Sequence, residues 1–198
     1  MYTSSYSNTL GIIKIMNEDI SERLGKIVID FQILDSCVDY AIHGLLTLPL
    51  PHTEMILAEM SFRNKINLLS SLCLDILERH QDLINSMQDV IKKINEWEAD
   101  RNRLLHSTWL AEFRDVNGQV IRTKNTAKKK GLKYQRKPIN AEKLDELIKS
   151  HQIILDEFNK ATLAISIRLD RHHMSPLIAH DNNFSYQSLL NVINENYK

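Results

Sequence analysis

The chain has 198 residues, 43% of them hydrophobic and 25% charged, which is globular composition with enough length for one domain and a sizeable core. Its 25 basic and 25 acidic residues cancel, so no whole-molecule field draws it to nucleic acid and any such attraction must come from local clustering. Five Gly and four Pro are too few for a many-turned β-sandwich and favour long helices.

Residues Met1 to Asn8 are polar and lack the charged-then-apolar layout of a signal peptide, and no run approaches about 18 uninterrupted apolar residues. The expectation is a cytoplasmic chain that does not span a membrane. The first helical pattern runs from about Asn17 to Leu46, with Ile20, Leu24, Ile27, Phe31, Leu34, Val38 and Ile42 at steps of three and four. Pro49 and Pro51 break it. Thr53 is then the expected N-cap of a second helix reaching His80, with Met60, Ile66, Leu69, Leu72, Cys73 and Ile76 on its apolar face. Cys37 and Cys73 both fall on apolar helical positions, match no metal spacing, and read as reduced core thiols.

A third helix is expected from Gln81 to about Trp109, after which the period changes. Trp109 to Val116 and Gln119 to Lys124 flank Asn117-Gly118, a strong hairpin signal, and Leu132 to Lys137 offers a further extended piece. A fourth long helix starts near Asn140, its expected N-cap, and carries Leu144, Leu147, Ile148, Ile154, Leu155, Phe158, Leu163 and Ile167. Pro176 closes that pattern, and Ser185 to Asn194 reads as a short tail helix. The predicted fold is all-α: an up-and-down bundle of four long helices, with a β-hairpin inserted before the last and a short C-terminal helix. Residues 1–175 form the bundle, with the hairpin and basic loop inserted at 109–139, and 176–198 form the tail.

On a wheel at about 100° per residue, Met87, Val90, Ile91, Ile94, Trp97, Leu104 and Leu105 make one apolar stripe on the third helix. Glu98 and Arg101 fall inside that stripe, Asn102 and His106 at its edge, and Arg103 on the opposite side. A guanidinium among apolar residues needs a partner, because desolvating an unpaired permanent cation costs several kcal/mol. Either Glu98, one turn earlier, supplies an ion pair, or the stretch faces a cleft or second subunit where Arg101 meets an anion. The two arrangements are compatible.

The segment Glu98-Ala-Asp-Arg101-Asn102-Arg-Leu-Leu-His106-Ser-Thr-Trp109 resembles the motif of the HEPN superfamily, an Arg followed by a polar residue and, four to six residues on, a His. Glu59-Met-Ser-Phe-Arg63-Asn-Lys65-Ile-Asn-Leu-Leu69 is similar to the second helix of bacterial HEPN-like proteins, and the resemblance covers about Asn17 to His173. The same spacing recurs at Arg168 to His173, but there Leu169 stands where the family has a polar residue. The resemblance implies a ribonuclease that leaves a 2′,3′-cyclic phosphate and a 5′-hydroxyl, assembled as a homodimer and acting as a toxin or anti-phage effector, with an antitoxin or defence partner possible.

The residue types fit that chemistry. The RNA 2′-hydroxyl attacks its neighbouring phosphorus once a base removes its proton. His106 titrates in the useful range, Arg101 grips phosphate oxygens through its planar fork, and Asn102 can orient the imidazole or touch the phosphate. Neither metal nor cofactor is required. Arg101 and His106 diverge by about 140° on an ideal helix, which argues for two copies meeting about a two-fold axis along this helix. Arg122 to Lys137 contains no acidic residue, and Lys128, Lys129, Lys130, Lys133, Tyr134 and Arg136 are its candidate RNA contacts, the alternative being a solvated hairpin end. His43, His52, His80, His151 and His180 show no partner spacing, His172 and His173 sit near a helix end, and Glu54, Glu59 and Arg63 read as a solvated face. Two other readings stay open: a non-catalytic HEPN-like module that binds nucleotide, RNA or protein, and a purely structural dimerising bundle.

Overall fold

The computed structural model describes the backbone of residues 4–114, 120–128 and 131–170, and the side chains of 19–107, 121–122 and 137–170. The described residues are mostly helical, with five helices and one small antiparallel sheet inserted before the last of them. Helix α1 spans Ser4–Leu46 and so begins well before the expected Asn17. It stops where Leu48 precedes Pro49, a context that disfavours helical backbone, and Thr47 turns away with φ 54°. The Thr47 amide still donates to the His43 carbonyl at 3.2 Å, closing the last turn.

The expected second helix is two helices. Helix α2 covers Leu50–Ala58, with proline in its first turn, where a missing N–H does no harm. Thr53 lies inside α2 and caps nothing. It is buried, and its Oγ1 sits 3.2 Å from His43 Nδ1. The capping residue is Ser61, whose extended backbone lets its Oγ accept from the Asn64 amide at 3.3 Å at the head of α3, Phe62–Ile76.

Helix α4 spans Gln81–Leu105 and therefore ends short of Trp109. Its end is fixed from outside the helix. Arg122 Nη1 donates to the Arg103 carbonyl at 2.9 Å and to Ser107 Oγ at 3.1 Å, while the Ser107 hydroxyl also donates to the Arg103 carbonyl. With that terminal carbonyl satisfied by side chains, Thr108 is free to open a strand. Strands β1 (Thr108–Arg114), β2 (Val120–Lys128) and β3 (Gly131–Ile139) form a three-stranded antiparallel meander in sequence order, the further extended piece expected at Leu132 to Lys137 pairing with the hairpin as its third strand. Trp109 pairs with Arg122, the β1–β2 register shifts between Leu110 and Arg114, and β2–β3 pairs evenly from Val120–Ile139 to Lys128–Gly131. Asn117-Gly118 lies outside the described residues. Helix α5, Ala141–Arg168, starts as expected, with Asn140 Oδ1 accepting from the Lys143 amide at 3.1 Å. Pro176, the tail helix at Ser185 to Asn194, His172, His173 and His180 lie outside the described residues.

The described residues cluster into two compact units, those within 1–33 and 92–154 and those within 34–91 and 155–198. The first unit buries Ile27, Ile94, Trp97, Leu104, Leu144 and Ile148. Arg23 there forks onto Asp145 at 2.8 and 3.2 Å and also bonds Asp19, two carboxylates that raise its pKa further while Arg23 lowers that of Asp145. The second unit buries Leu34, Ile42, Ile66, Leu69, Met87 and Phe158. Cys37 and Cys73 are buried free thiols in it, and burial pushes them up to about 11 and about 12. No helix among the described residues is long and apolar enough to cross a membrane.

Lys65 is buried in the second unit with its Nζ 3.0 Å from Asp35 and 2.8 Å from the Asp39 carboxylate. Burial works against its charge, but the two carboxylates outweigh that and raise its pKa, while burial raises that of Asp39. Lys65→Met keeps the volume and strands two carboxylates that are each about a third exposed. A loss of about 1–3 kcal/mol is expected in urea unfolding. An unchanged midpoint would show that the triad contributes no net stability.

Candidate functional site

Along α4, Met87, Val90, Ile91, Ile94, Trp97 and Leu104 are buried and Leu105 is half-buried, as the wheel requires. Arg101, Asn102 and Glu98 are all half-buried. The guanidinium does not meet Glu98 directly. Its Nη1 donates to Asn102 Oδ1 at 2.8 Å, and Asn102 Nδ2 donates to Glu98 Oε1 at 3.0 Å, so the amide relays the carboxylate to the cation. The flat face of Arg101 rests on Phe31 of α1, its Cζ 3.9 Å from the ring centroid, a contact worth roughly 0.5–2 kcal/mol. Burial lowers the Arg101 pKa and the charge of Glu98 opposes it. The Arg101 Nε is buried without a hydrogen-bond partner.

The stack continues inward. Phe31 lies parallel to Trp97, centroids 6.4 Å apart at 12°, and Trp97 is tilted against His151 of α5 at 5.0 Å. Trp97 Nε1 donates to the Leu147 carbonyl at 2.9 Å. His151 is buried, with Nδ1 3.9 Å from Asp30 Oδ2, and Asp30 Oδ1 accepts from Lys26 at 3.1 Å. His151 Nε2 and Asp30 Oδ2 are buried without hydrogen-bond partners. Neither residue stands out by motif spacing. The usable signal is that Asp30 sits between Ile27 and Leu34, and His151 between Ile148 and Ile154, at core positions of their helices.

His106 is exposed in the turn that follows α4, tied back by its amide donating to the Asn102 carbonyl at 3.1 Å. Among the described residues nothing hydrogen-bonds its imidazole. The Asn102 amide is spent on Arg101 and Glu98 and does not align that ring. The structure thus gathers Arg101, Asn102 and Glu98 into one group and leaves His106 beside it in solvent. Arg103 is exposed and pairs with Asp100 at 3.0 Å. Glu54, Glu59 and Arg63 are exposed, as expected of a solvated face. Lys128 closes β2, and Lys133, Tyr134 and Arg136 lie in β3. Their side chains, and Lys129 and Lys130 altogether, lie outside the described residues. Among the described residues no three His, Cys, Asp or Glu side chains gather to hold a metal ion.

Comparison with family models, with curated proteins and with solved structures returns no match for this chain.

His151 gives the group a pH signature. Burial, the largest influence, and Lys26 lower its pKa, and Asp30 only partly offsets them. The unfolded chain, at about 6.5, then takes up the proton before the folded one does. Stability is full above pH about 6.5 and falls as the solution is acidified toward the lowered folded-state value. His151→Asn should flatten the slope of unfolding free energy between pH 7.5 and 5.5 relative to the unaltered chain. Equal slopes would place the proton uptake elsewhere.

Proposed function

We propose that the chain is a metal-independent endoribonuclease of the HEPN type, working as a homodimer with Arg101 and His106 at its centre. The observation that carries this reading is Arg101 itself, a permanent cation pre-positioned by Phe31, Asn102 and Glu98 one turn from an exposed imidazole. A phosphate group meeting such a guanidinium encounters a fork already stripped of rotamer freedom, which is the condition for strong charge stabilisation. His106 takes the 2′-hydroxyl proton, the 2′-oxygen bonds to phosphorus, and the P–O5′ bond breaks. A second His106, from the other copy, delivers a proton to the departing 5′-oxygen.

The two-fold contact in this proposal is polar. Among the described residues the exposed large apolar side chains of the first unit are Ile29 and Ile33 of α1 and Ile153 of α5, none of them on α4. Pairing about α4 would rest on Asn102, His106 and their charged neighbours, and association should weaken with salt. The role as a toxin or defence effector, with a partner protein to restrain it, rests on the resemblance to the family.

A second reading is favoured by one observation: the Arg101 guanidinium is already engaged by Phe31 and Asn102. On this reading those contacts hold the cation without any phosphate, and the chain is a non-catalytic binding module or a structural bundle. The two separate cleanly in vitro. Purified protein in EDTA should cleave RNA to 2′,3′-cyclic phosphate ends, and His106→Ala should lower the rate at least about 100-fold. Cleavage that persists unchanged in His106→Ala removes the imidazole from the mechanism. RNA binding that disappears in Arg101→Ala, with no cleavage by the unaltered chain, assigns the site to binding alone.

A further inference from the structure

The first unit holds a cleft of about 380 Å³ between the end of α4, strands β2 and β3, and the first turns of α5. Four cations line it: Arg103, Arg122, Lys137 and Lys143. Two acids line it as well, Asp100 and Glu146, and Asp100 is already paired with Arg103 at 3.0 Å. The lining therefore carries a surplus of two positive charges in a chain whose total is zero.

Three further features make the surplus costly in the empty cleft. The β2–β3 register sets Arg122 directly opposite Lys137, a like-charge cross-strand pair that destabilises a sheet unless something lies between the charges. Arg122 is half-buried, and its Nε is buried with no hydrogen-bond partner, although Nη1 is spent on the Arg103 carbonyl and Ser107. Among the described residues neither Lys137 nor Lys143 has an ion-pair partner. Burial, and then the nearby Arg103 charge, lower the Arg122 pKa. An anion in the cleft would relieve all of these at once.

We infer that this cleft binds a phosphate ester, with Arg122, Lys137 and Lys143 around the phosphate and the organic body of the ligand on the wall of Leu104, Ile139 and Leu147. The volume lies within the range of small-ligand sites and exceeds what a bare phosphate fills. Mixed apolar and cationic walls suit a nucleotide, in which a charged group is joined to a flat apolar one. On an ideal helix Asp100 and Leu104 lie at least about 120° from Asn102 and His106, and none of Arg101, Asn102 and His106 lines the cleft. The cleft is thus separate from the proposed ribonuclease site, and its occupancy stands whether or not that site cleaves RNA.

The test is calorimetric titration of the full chain at fixed ionic strength with adenosine 5′-monophosphate, inorganic phosphate, adenosine and a short 2′-O-methylated oligoribonucleotide that His106 cannot cut. Saturable binding of the monophosphate, weaker binding of inorganic phosphate and none of adenosine are expected. Binding of the oligoribonucleotide in competition with the monophosphate would identify the phosphate source as a strand, and its failure to compete would identify a free nucleotide. The Lys137→Gln/Lys143→Gln variant changes two exposed side chains and removes the like-charge pair, so it should keep the circular dichroism of the parent and melt no lower while losing at least ten-fold in affinity. No saturable binding of any phosphate ligand, adenosine binding as tightly as its monophosphate, or undiminished affinity in that folded double variant would each overturn the inference.

Discussion

A guanidinium cannot shed its charge at any pH the chain meets, so wherever it leaves water the protein must surround it with electrons. Arg101 imposes that requirement on the first unit. Phe31 supplies a ring face, Asn102 an amide oxygen, and Glu98 a carboxylate relayed through that amide. The ring that faces Arg101 on one side faces Trp97 on the other, and Trp97 in turn meets His151. Holding one cation therefore fixes an aromatic row that includes the buried ring of Trp97. Replacing any member changes the setting of the others, which is the sense in which the site and the core are one structure.

The periodic elements were legible because burial of one helical face is a local property of sequence. The starts and stops were less so, because each depended on a residue elsewhere. Thr53 and Ser61 are both acceptable caps by type, and the choice between them follows from the burial of Thr53 against His43, which no local pattern states. The end of α4 is set by Arg122 reaching across from β2, so Trp109 passed for helix until its strand partner was known. At the site, Arg101 was legible as a charge on an apolar stripe. The same logic, applied to Asp30, Lys65 and His151, would have found three more buried polar groups. Phe31, by contrast, looked like any core aromatic, since what distinguishes it is a partner distant in sequence.

Zero net charge describes the sum and hides two different local arrangements. Three cations of the helical segments are compensated within reach: Arg23 by Asp145 and Asp19, Lys26 by Asp30, Lys65 by Asp35 and Asp39. Around the sheet charges are not, because β2 and β3 set Arg122 against Lys137 with Arg103 and Lys143 nearby. Compensated charges hold elements together and contribute modestly to stability. Uncompensated ones do the opposite in isolation and become favourable when an anion arrives, so the second arrangement is the one that reads as a binding surface.

Both candidate sites draw on the last two turns of α4, and they use opposite strategies there. On one side Arg101 is pre-organised, its charge met by protein groups before any ligand is present, so a phosphate would compete with contacts already made. On the other, Arg122 closes the helix through the Arg103 carbonyl and stands opposite Lys137, so it faces another cation where Arg101 has a relayed carboxylate. A pre-satisfied cation gains little from a loosely bound anion and most from a charge that grows during reaction, which suits catalysis. An unsatisfied one gains from any anion of the right size, which suits ground-state binding. The division of labour proposed for the two sides of α4 would follow from which cation the fold has already neutralised.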